Sequence, residues 1–246
     1  MVRSVAVVNA SSFVSDAEVA EVTAALSVQL SRDVEPAWGW RAEVAFVPAG
    51  GPRPADAWTL EILDVTDREG ASGYHDRDAD GRPFGRVFVA TGGRLDPDWS
   101  ILASHELLEM LADPSSNHGI VAGTDLGLSL YALEICDPCE AAPFAYEIGR
   151  VRVSDFVYPA WYEPRSPAGT LLDYTGSVSR PLQLLTSGFI SRLDLPGAQW
   201  QSVATTSTNS ESTPLSHEAT SRSTGRTNVR IIWLTLVALS GATRGR

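Results

Sequence analysis

One short segment, His105-Glu106-Leu107-Leu108-Glu109, combines side chains that can bind a metal with one that can accept a proton. On an α-helix, residues four positions apart share a face, so His105 and Glu109 can both bind one divalent cation. Glu106 then lies beside the ion, where a general base for an attacking water is needed. We therefore expect one zinc ion, with other divalent metals as alternatives, and Glu106 as the catalytic base.

Asp113 lies on the same helical stripe as His105, Glu106 and Glu109, and the stripe contains no arginine. The ordinary interpretation of such a stripe is the solvated face of an amphipathic helix. A solvated face normally mixes both signs of charge, however, and like charges at these spacings repel one another. Because a bound cation would remove that repulsion, we favour a metal site.

A further ligand must come from another segment, because a catalytic zinc site has three protein ligands and one open position. The candidates are Glu134, Asp137, Glu140 and His118. Residues 133–138 place acids at the end of an apolar strand, from which a carboxylate can project towards the helix. An Asp-Pro turn that ends the strand explains the same pattern equally well. We predict that Glu134 and Asp137 contribute at least one metal ligand.

Hydrophobic spacing predicts the elements that must position these residues. A capping box of Ser15 and Glu18 begins a helix that extends to about Arg32, and Asp96-Pro97 begins the helix of the metal motif, which ends before Pro114. Strands are predicted at residues 2–8, 42–47, 58–65, 84–90, 128–136, 145–148, 151–153 and 189–193. This order predicts an α/β (α+β) fold: a layer of mixed sheet with a capped helix and a metal-binding helix, plus an irregular, β-rich C-terminal part.

We expect one domain, residues 1–196, followed by a Ser/Thr/Arg-rich tail at residues 197–246. Residues 201–228 have too few apolar side chains to offset the entropy cost of ordering, so we predict that they are disordered.

The net charge of −11 argues against a nucleic-acid backbone as the main partner and suits a cation. The apolar runs at residues 2–8 and 231–239 are too short to cross a bilayer, and the first is not a secretory signal. We therefore expect a cytoplasmic protein without a membrane span.

Three weaker patterns leave alternatives open. The only cysteines, Cys136 and Cys139, form a Cys-x-x-Cys that could be redox-active, half of a zinc site or incidental. Asp76-x-Asp78-x-Asp80-Gly81 matches the start of a calcium loop, but a hairpin turn at Asp80-Gly81 is the favoured interpretation. His75 in that segment could lie near the active-site cleft, but a single loop histidine is usually only solvated, which is the favoured interpretation.

The motifs also carry a resemblance. The run from Ala103 to Glu109 with Asp113-Pro114, followed by Glu134-Ile135-x-Asp137, resembles uncharacterised bacterial and phage proteins of metallopeptidase type. It is similar as well to the matching stretch of the plant phosphate-induced, exordium-like proteins. The resemblance covers about residues 73–165 and implies a zincin-like, metzincin-like catalytic subdomain. This chain departs from true zincins at Glu109, which occupies the position of their second histidine.

Two functions remain open. The first is a zinc-dependent hydrolase, most naturally a peptidase acting on a peptide or protein substrate, in which Glu106 deprotonates the attacking water. The second is a non-catalytic, metal-stabilised binding or structural protein, phage- or envelope-associated. The two differ in whether the metal keeps an open coordination position.

Overall fold

The computed structural model describes residues 2–124, 127–195, 200–205 and 230–231. Its N-terminal part contains one strand, two helices and four further strands in the following order: β1 (Arg3–Asn9), α1 (Asp16–Gln29), α2 (Glu35–Trp38), β2 (Ala42–Val47), β3 (Trp58–Leu63), β4 (Gly73–Arg77) and β5 (Pro83–Phe88). The five strands form one sheet in the order β2-β1-β3-β5-β4. All neighbouring pairs are parallel except β4, which runs antiparallel to β5 at the edge.

Helix α1 begins as the sequence predicts. Ser15 accepts a hydrogen bond from the backbone N–H of Glu18, and the Glu18 side chain accepts one from the N–H of Ser15, which completes the capping box. The helix ends earlier than predicted, at Gln29, because residues 30–34 form a π-helical turn that leads into α2. Gly39 ends α2 in the left-handed conformation, with φ of 72°.

A short ribbon of β6 (Ala90–Thr91) and β7 (Arg94–Leu95) leads to α3 (Trp99–Ala112), the helix of the metal motif. The predicted start of this helix at Asp96-Pro97 is wrong. Asp96 instead forms a turn before the helix, in which its carboxylate accepts the N–H of Asp98 and its carbonyl accepts the N–H of Trp99. Almost every residue of α3 is buried, because the helix packs against β3, β4 and β5 on one side and the C-terminal part on the other.

The C-terminal part is β-rich and irregular, as predicted. Its strands are β8 (His118–Thr124), β9 (Gly127–Ala132), β10 (Tyr146–Ile148), β11 (Val151–Val153), β12 (Phe189–Leu195), β13 (Trp200–Ala204) and β14 (Arg230–Ile231). Five of them form a second sheet in the order β13-β12-β9-β8-β14, and β10 and β11 form a hairpin that turns at Gly149. The mixed sheets and the two main helices confirm the α+β class.

Boundaries in the C-terminal part also differ from the expectation. Strand β9 ends at Ala132 rather than at residue 136, so the chain leaves the sheet before the acidic segment. Strand β13 overlaps the start of the predicted disordered segment, residues 201–228. It pairs with β12, and its Val203 packs against the hydrophobic core. Residues 206–228 of the predicted disordered segment lie outside the described residues. Among the helices described, none combines the length and apolar composition needed to cross a membrane.

A buried hydrogen-bond network holds α3 in register beside the C-terminal part. Ser104 donates its hydroxyl to Gln29 Oε1 (2.7 Å) and accepts the backbone N–H of Ser154 (3.0 Å). Gln29 also donates to the carbonyl of Ser154 (3.0 Å) and to the hydroxyl of Tyr146 (3.1 Å). The network joins α1, α3 and the segment after β11, and Ser104 directly precedes His105.

Replacing Ser104 tests how strongly this network fixes α3. Ser104→Ala removes the hydrogen-bond partner of two buried groups, the side-chain Oε1 of Gln29 and the backbone N–H of Ser154. This should lower the free energy of unfolding by about 2–3 kcal/mol. Ser100→Ala, on the same helix but partly exposed, removes a bond to the Arg152 carbonyl and should cost less than about 1 kcal/mol. Urea denaturation of both variants measures the difference, and equal losses would contradict the role of the network.

A second buried network ties down the loop after β11. The carboxylates of Asp155 and Asp173 lie on either side of the Thr175 hydroxyl, at 2.7 and 3.1 Å from its oxygen. Backbone N–H groups of Ser177 and Val178 donate to Asp173. Burial, followed by the hydrogen bond with Asp173, raises the pKa of Asp155 to about 8.

This raised pKa gives the folding stability a defined pH dependence. Since Asp155 binds its proton more tightly in the folded state, its contribution is fully present below about pH 4 and is lost as pH rises to about 8. Asp155→Asn should therefore abolish that part of the decline, as measured by the free energy of unfolding across this pH range. Asp80→Asn, at an exposed position, should keep the wild-type profile. An unchanged profile in Asp155→Asn would contradict the assignment.

Candidate metal centre

Two segments bring a histidine and two carboxylates into contact. On α3, His105 Nε2 lies 3.0 Å from Glu109 Oε2, one helical turn away. After β9 the chain runs through the buried Leu133 and Ile135 to a 3₁₀ turn at Asp137–Cys139. That turn places Asp137 Oδ1 3.3 Å from the same His105 nitrogen. Three predicted ligands thus converge on one point.

Glu109 is held in place by the backbone of the second segment. Its Oε1 accepts hydrogen bonds from the N–H groups of Cys136 (3.2 Å) and Asp137 (3.3 Å). Its other oxygen, Oε2, faces His105. The carboxylate is therefore oriented by groups that do not depend on any ion, as preorganised ligands are.

Burial excludes the solvated-face interpretation of this stripe. His105, Glu106 and Glu109 are only 8, 6 and 4 % exposed, and Asp137 is 5 % exposed. Charged groups are costly to remove from water unless an opposite charge or a metal compensates them. The donor set of imidazole and carboxylate oxygen is one that zinc and related divalent ions accept.

The electrostatics of the cluster favour positive charge. Burial by itself would lower the pKa of His105, but Glu109, Asp137 and Glu106 outweigh it and raise that pKa well above its ordinary value. Burial and the neighbouring Glu109 raise the pKa of Asp137 well above its usual range. Burial would also raise the pKa of Glu109, but His105 and His75 lower it below its ordinary value. The carboxylates therefore compete for any cation or proton that enters.

Two further residues lie close enough to take part. Ligand atoms of His105, Asp137 and Glu140 lie within 4.8 Å of one another, as do those of His105, Glu109 and Cys136. Of the two cysteines, only Cys136 belongs to such a group among the described residues. Burial raises the pKa of both thiols well above the ordinary value, so neither has the exposed thiolate character of a reactive cysteine.

Glu106, the predicted base, turns towards the edge strand β4. A Cβ atom at Gly73 would lie 2.6 Å from Glu106 Oε1, so the missing side chain of Gly73 makes the space that Glu106 occupies. Glu106 Oε2 lies 3.6 Å from His75 Nδ1. Its carboxylate is thus buried next to the cluster, outside the contacts of His105 with Glu109 and Asp137.

His75 is the residue that sequence reasoning placed incorrectly. It lies in β4, not in a loop, and its side chain is 9 % exposed, with Nε2 3.7 Å from Glu134 Oε2. The predicted hairpin turn at Asp80-Gly81 is present, with φ of 79° at Gly81. That turn could have revealed the position of His75 from the sequence. A hairpin at Asp80-Gly81 makes the preceding segment a strand, and Gly73 and His75 then lie on the same face of it.

The remaining candidates divide between the two ends of α3. Glu134 lies at the metal end, where its ligand atom falls within 4.8 Å of those of His75 and Glu109. His118 lies at the opposite end, with Nδ1 3.1 Å from the carbonyl of Ala112. Asp113 is not part of the cluster either, since its carboxylate accepts the backbone N–H of His118 and closes the end of the helix. Neither His118 nor Asp113 is a candidate ligand in this fold.

The fold and the cluster were compared with known proteins. No family model, no curated protein and no solved structure matches this chain.

Proposed function

We propose that this protein is a zinc-dependent hydrolase, acting on peptide bonds. The observation that supports this proposal best is the contact of His105 Nε2 with carboxylate oxygens of Glu109 and Asp137, at 3.0 and 3.3 Å, in a cluster of buried side chains. The carboxylate of Glu106 is buried beside this cluster and makes neither of these two contacts. Metal-assisted hydrolysis requires side chains that bind the metal and, beside them, a further group that acts as a base.

In the proposed hydrolysis, the metal ligands and the base have separate roles. Zinc, when bound, would act as a Lewis acid and lower the pKa of a water molecule. Glu106 accepts the proton of the attacking water and can pass it to the leaving amine. Gly73 keeps open the space in which the Glu106 carboxylate lies, and the N–H groups of Cys136 and Asp137 keep Glu109 in place. Carboxylate ligands add negative charge and make the water less acidic, so the rate should depend strongly on Glu106.

A purely structural metal site is the second candidate. Glu140 and Cys136 both lie in groups with His105 and could complete a closed coordination shell. A closed shell leaves no position for a water or substrate, and the protein would then be a metal-stabilised binding or structural protein.

Variants of the motif separate ligand from base. We expect purified protein to contain zinc, and Glu106→Gln to retain it while losing ~10²- to 10⁴-fold in the rate of peptide hydrolysis. His105→Ala should lose the metal, together with the stability that binding contributes. The measurements are metal content by mass spectrometry and cleavage of casein and a peptide library on the same samples.

His118→Ala serves as the matched control, since this histidine lies at the far end of α3. It should leave metal content and rate at wild-type values. Wild-type protein that holds zinc but cleaves nothing in a broad library would refute the hydrolase and favour the structural candidate. Loss of metal from Glu106→Gln would show that Glu106 is a ligand, not a base.

A further inference from the structure

We propose that the centre binds two divalent cations, the second held by His75, Glu109 and Glu134, with Glu109 shared between the two ions. This proposal rests on the proposed function in so far as the first ion occupies the His105 group. It assigns a metal-binding role to His75 and moves Glu134 from the first ion to the second.

The geometry separates the ligands into two overlapping groups. One contains His105 with Asp137 and Glu140, and the other contains His75 with Glu109 and Glu134, each with ligand atoms within 4.8 Å of one another. Glu109 also touches His105, at 3.0 Å, and therefore belongs to both groups. A carboxylate in this position can bridge two ions, which in two-metal hydrolases lie ~3.5–4 Å apart.

His75 supplies an independent observation. Its side chain is more than nine-tenths buried, yet its Nε2 atom has no hydrogen-bond partner among the described residues. A buried imidazole nitrogen normally has such a partner. This nitrogen is directed towards the Glu134 carboxylate, at 3.7 Å, which is too long for a hydrogen bond but leaves room for an ion between the two groups.

The balance of charge also favours two ions. Five carboxylates lie around the two histidines: Glu106, Glu109, Glu134, Asp137 and Glu140. If all five are ionised and both histidines are neutral, one divalent cation leaves a net charge of three negative charges. Two divalent cations leave a net charge of one negative charge. Arginine does not compensate this remaining negative charge. In the described part of the chain, Glu106, Glu109, Asp137 and Glu140 form no ion pair with an arginine.

Three separate segments must converge to build the second site. His75 comes from the edge strand β4, Glu109 from α3, and Glu134 from the chain just after β9. His75 also lies 3.6 Å from Glu106, so an ion bound by His75 would lie on the side of the cluster where the proposed base is. The second ion would therefore help to set the charge around the attacking water.

The test counts ions in the full-length chain. Protein stripped with a chelator is dialysed against Zn²⁺, and bound zinc is measured by mass spectrometry and by calorimetric titration. We expect two zinc ions per wild-type chain, one in His75→Ala and one in Glu134→Gln. His118→Ala, the matched control, should bind two. His75→Gln, which keeps a polar side chain of similar size, replaces the alanine variant if circular dichroism shows that His75→Ala does not fold.

A second readout detects the shared ligand directly. Two Mn²⁺ ions bridged by Glu109 should give an exchange-coupled electron paramagnetic resonance signal, and His75→Ala should give the signal of an isolated ion.

One zinc in both wild type and His75→Ala would overturn the second site and leave the proposed hydrolase standing. One zinc in wild type and none in His75→Ala would overturn it as well, by making His75 a ligand of a single ion. No zinc in the wild type would refute both proposals.

Discussion

Buried negative charge beside α3 is the constraint on which the rest of this structure depends. Glu106, Glu109 and Asp137 are nearly inaccessible to water, and a carboxylate in such surroundings needs a compensating charge or hydrogen bonds. The backbone N–H groups after β9 supply part of this to Glu109, and His75 and His105 lie within 3.6 Å of these carboxylates. A divalent ion would satisfy these groups together, which is the physical basis of the metal centre that we propose.

The fold holds the cluster by fixing α3 on every side. The edge of the first sheet approaches it at Gly73, where only a glycine leaves room for Glu106. On the other side, Gln29 and Ser104 tie the helix to α1 and to the backbone of Ser154 through buried hydrogen bonds. Because buried polar networks tolerate little displacement, the residue after Ser104, His105, is held at a fixed position relative to the acidic turn.

Because the candidate ligands come from separated segments, the proposed metal binding would depend on folding. Glu109 comes from a helix, Asp137 from a 3₁₀ turn and His75 from an edge strand, so no local segment forms the centre alone. Such a site binds strongly only when the segments are already packed, and binding then adds to the stability of that packing.

The sequence by itself determined the helix that carries the motif, the i, i+4 pairing of His105 with Glu109 and the acidic segment that supplies Asp137, because these depend on local spacing. It also indicated the α+β class and the capping box of α1. Only the tertiary structure decided that His118 lies at the opposite end of the helix, that the Glu134 carboxylate lies 3.7 Å from His75, and that the His75 side chain is only 9 % exposed. These are long-range relations, set by how β4 and the chain after β9 pack on α3, and hydrophobic periodicity carries no information about such contacts.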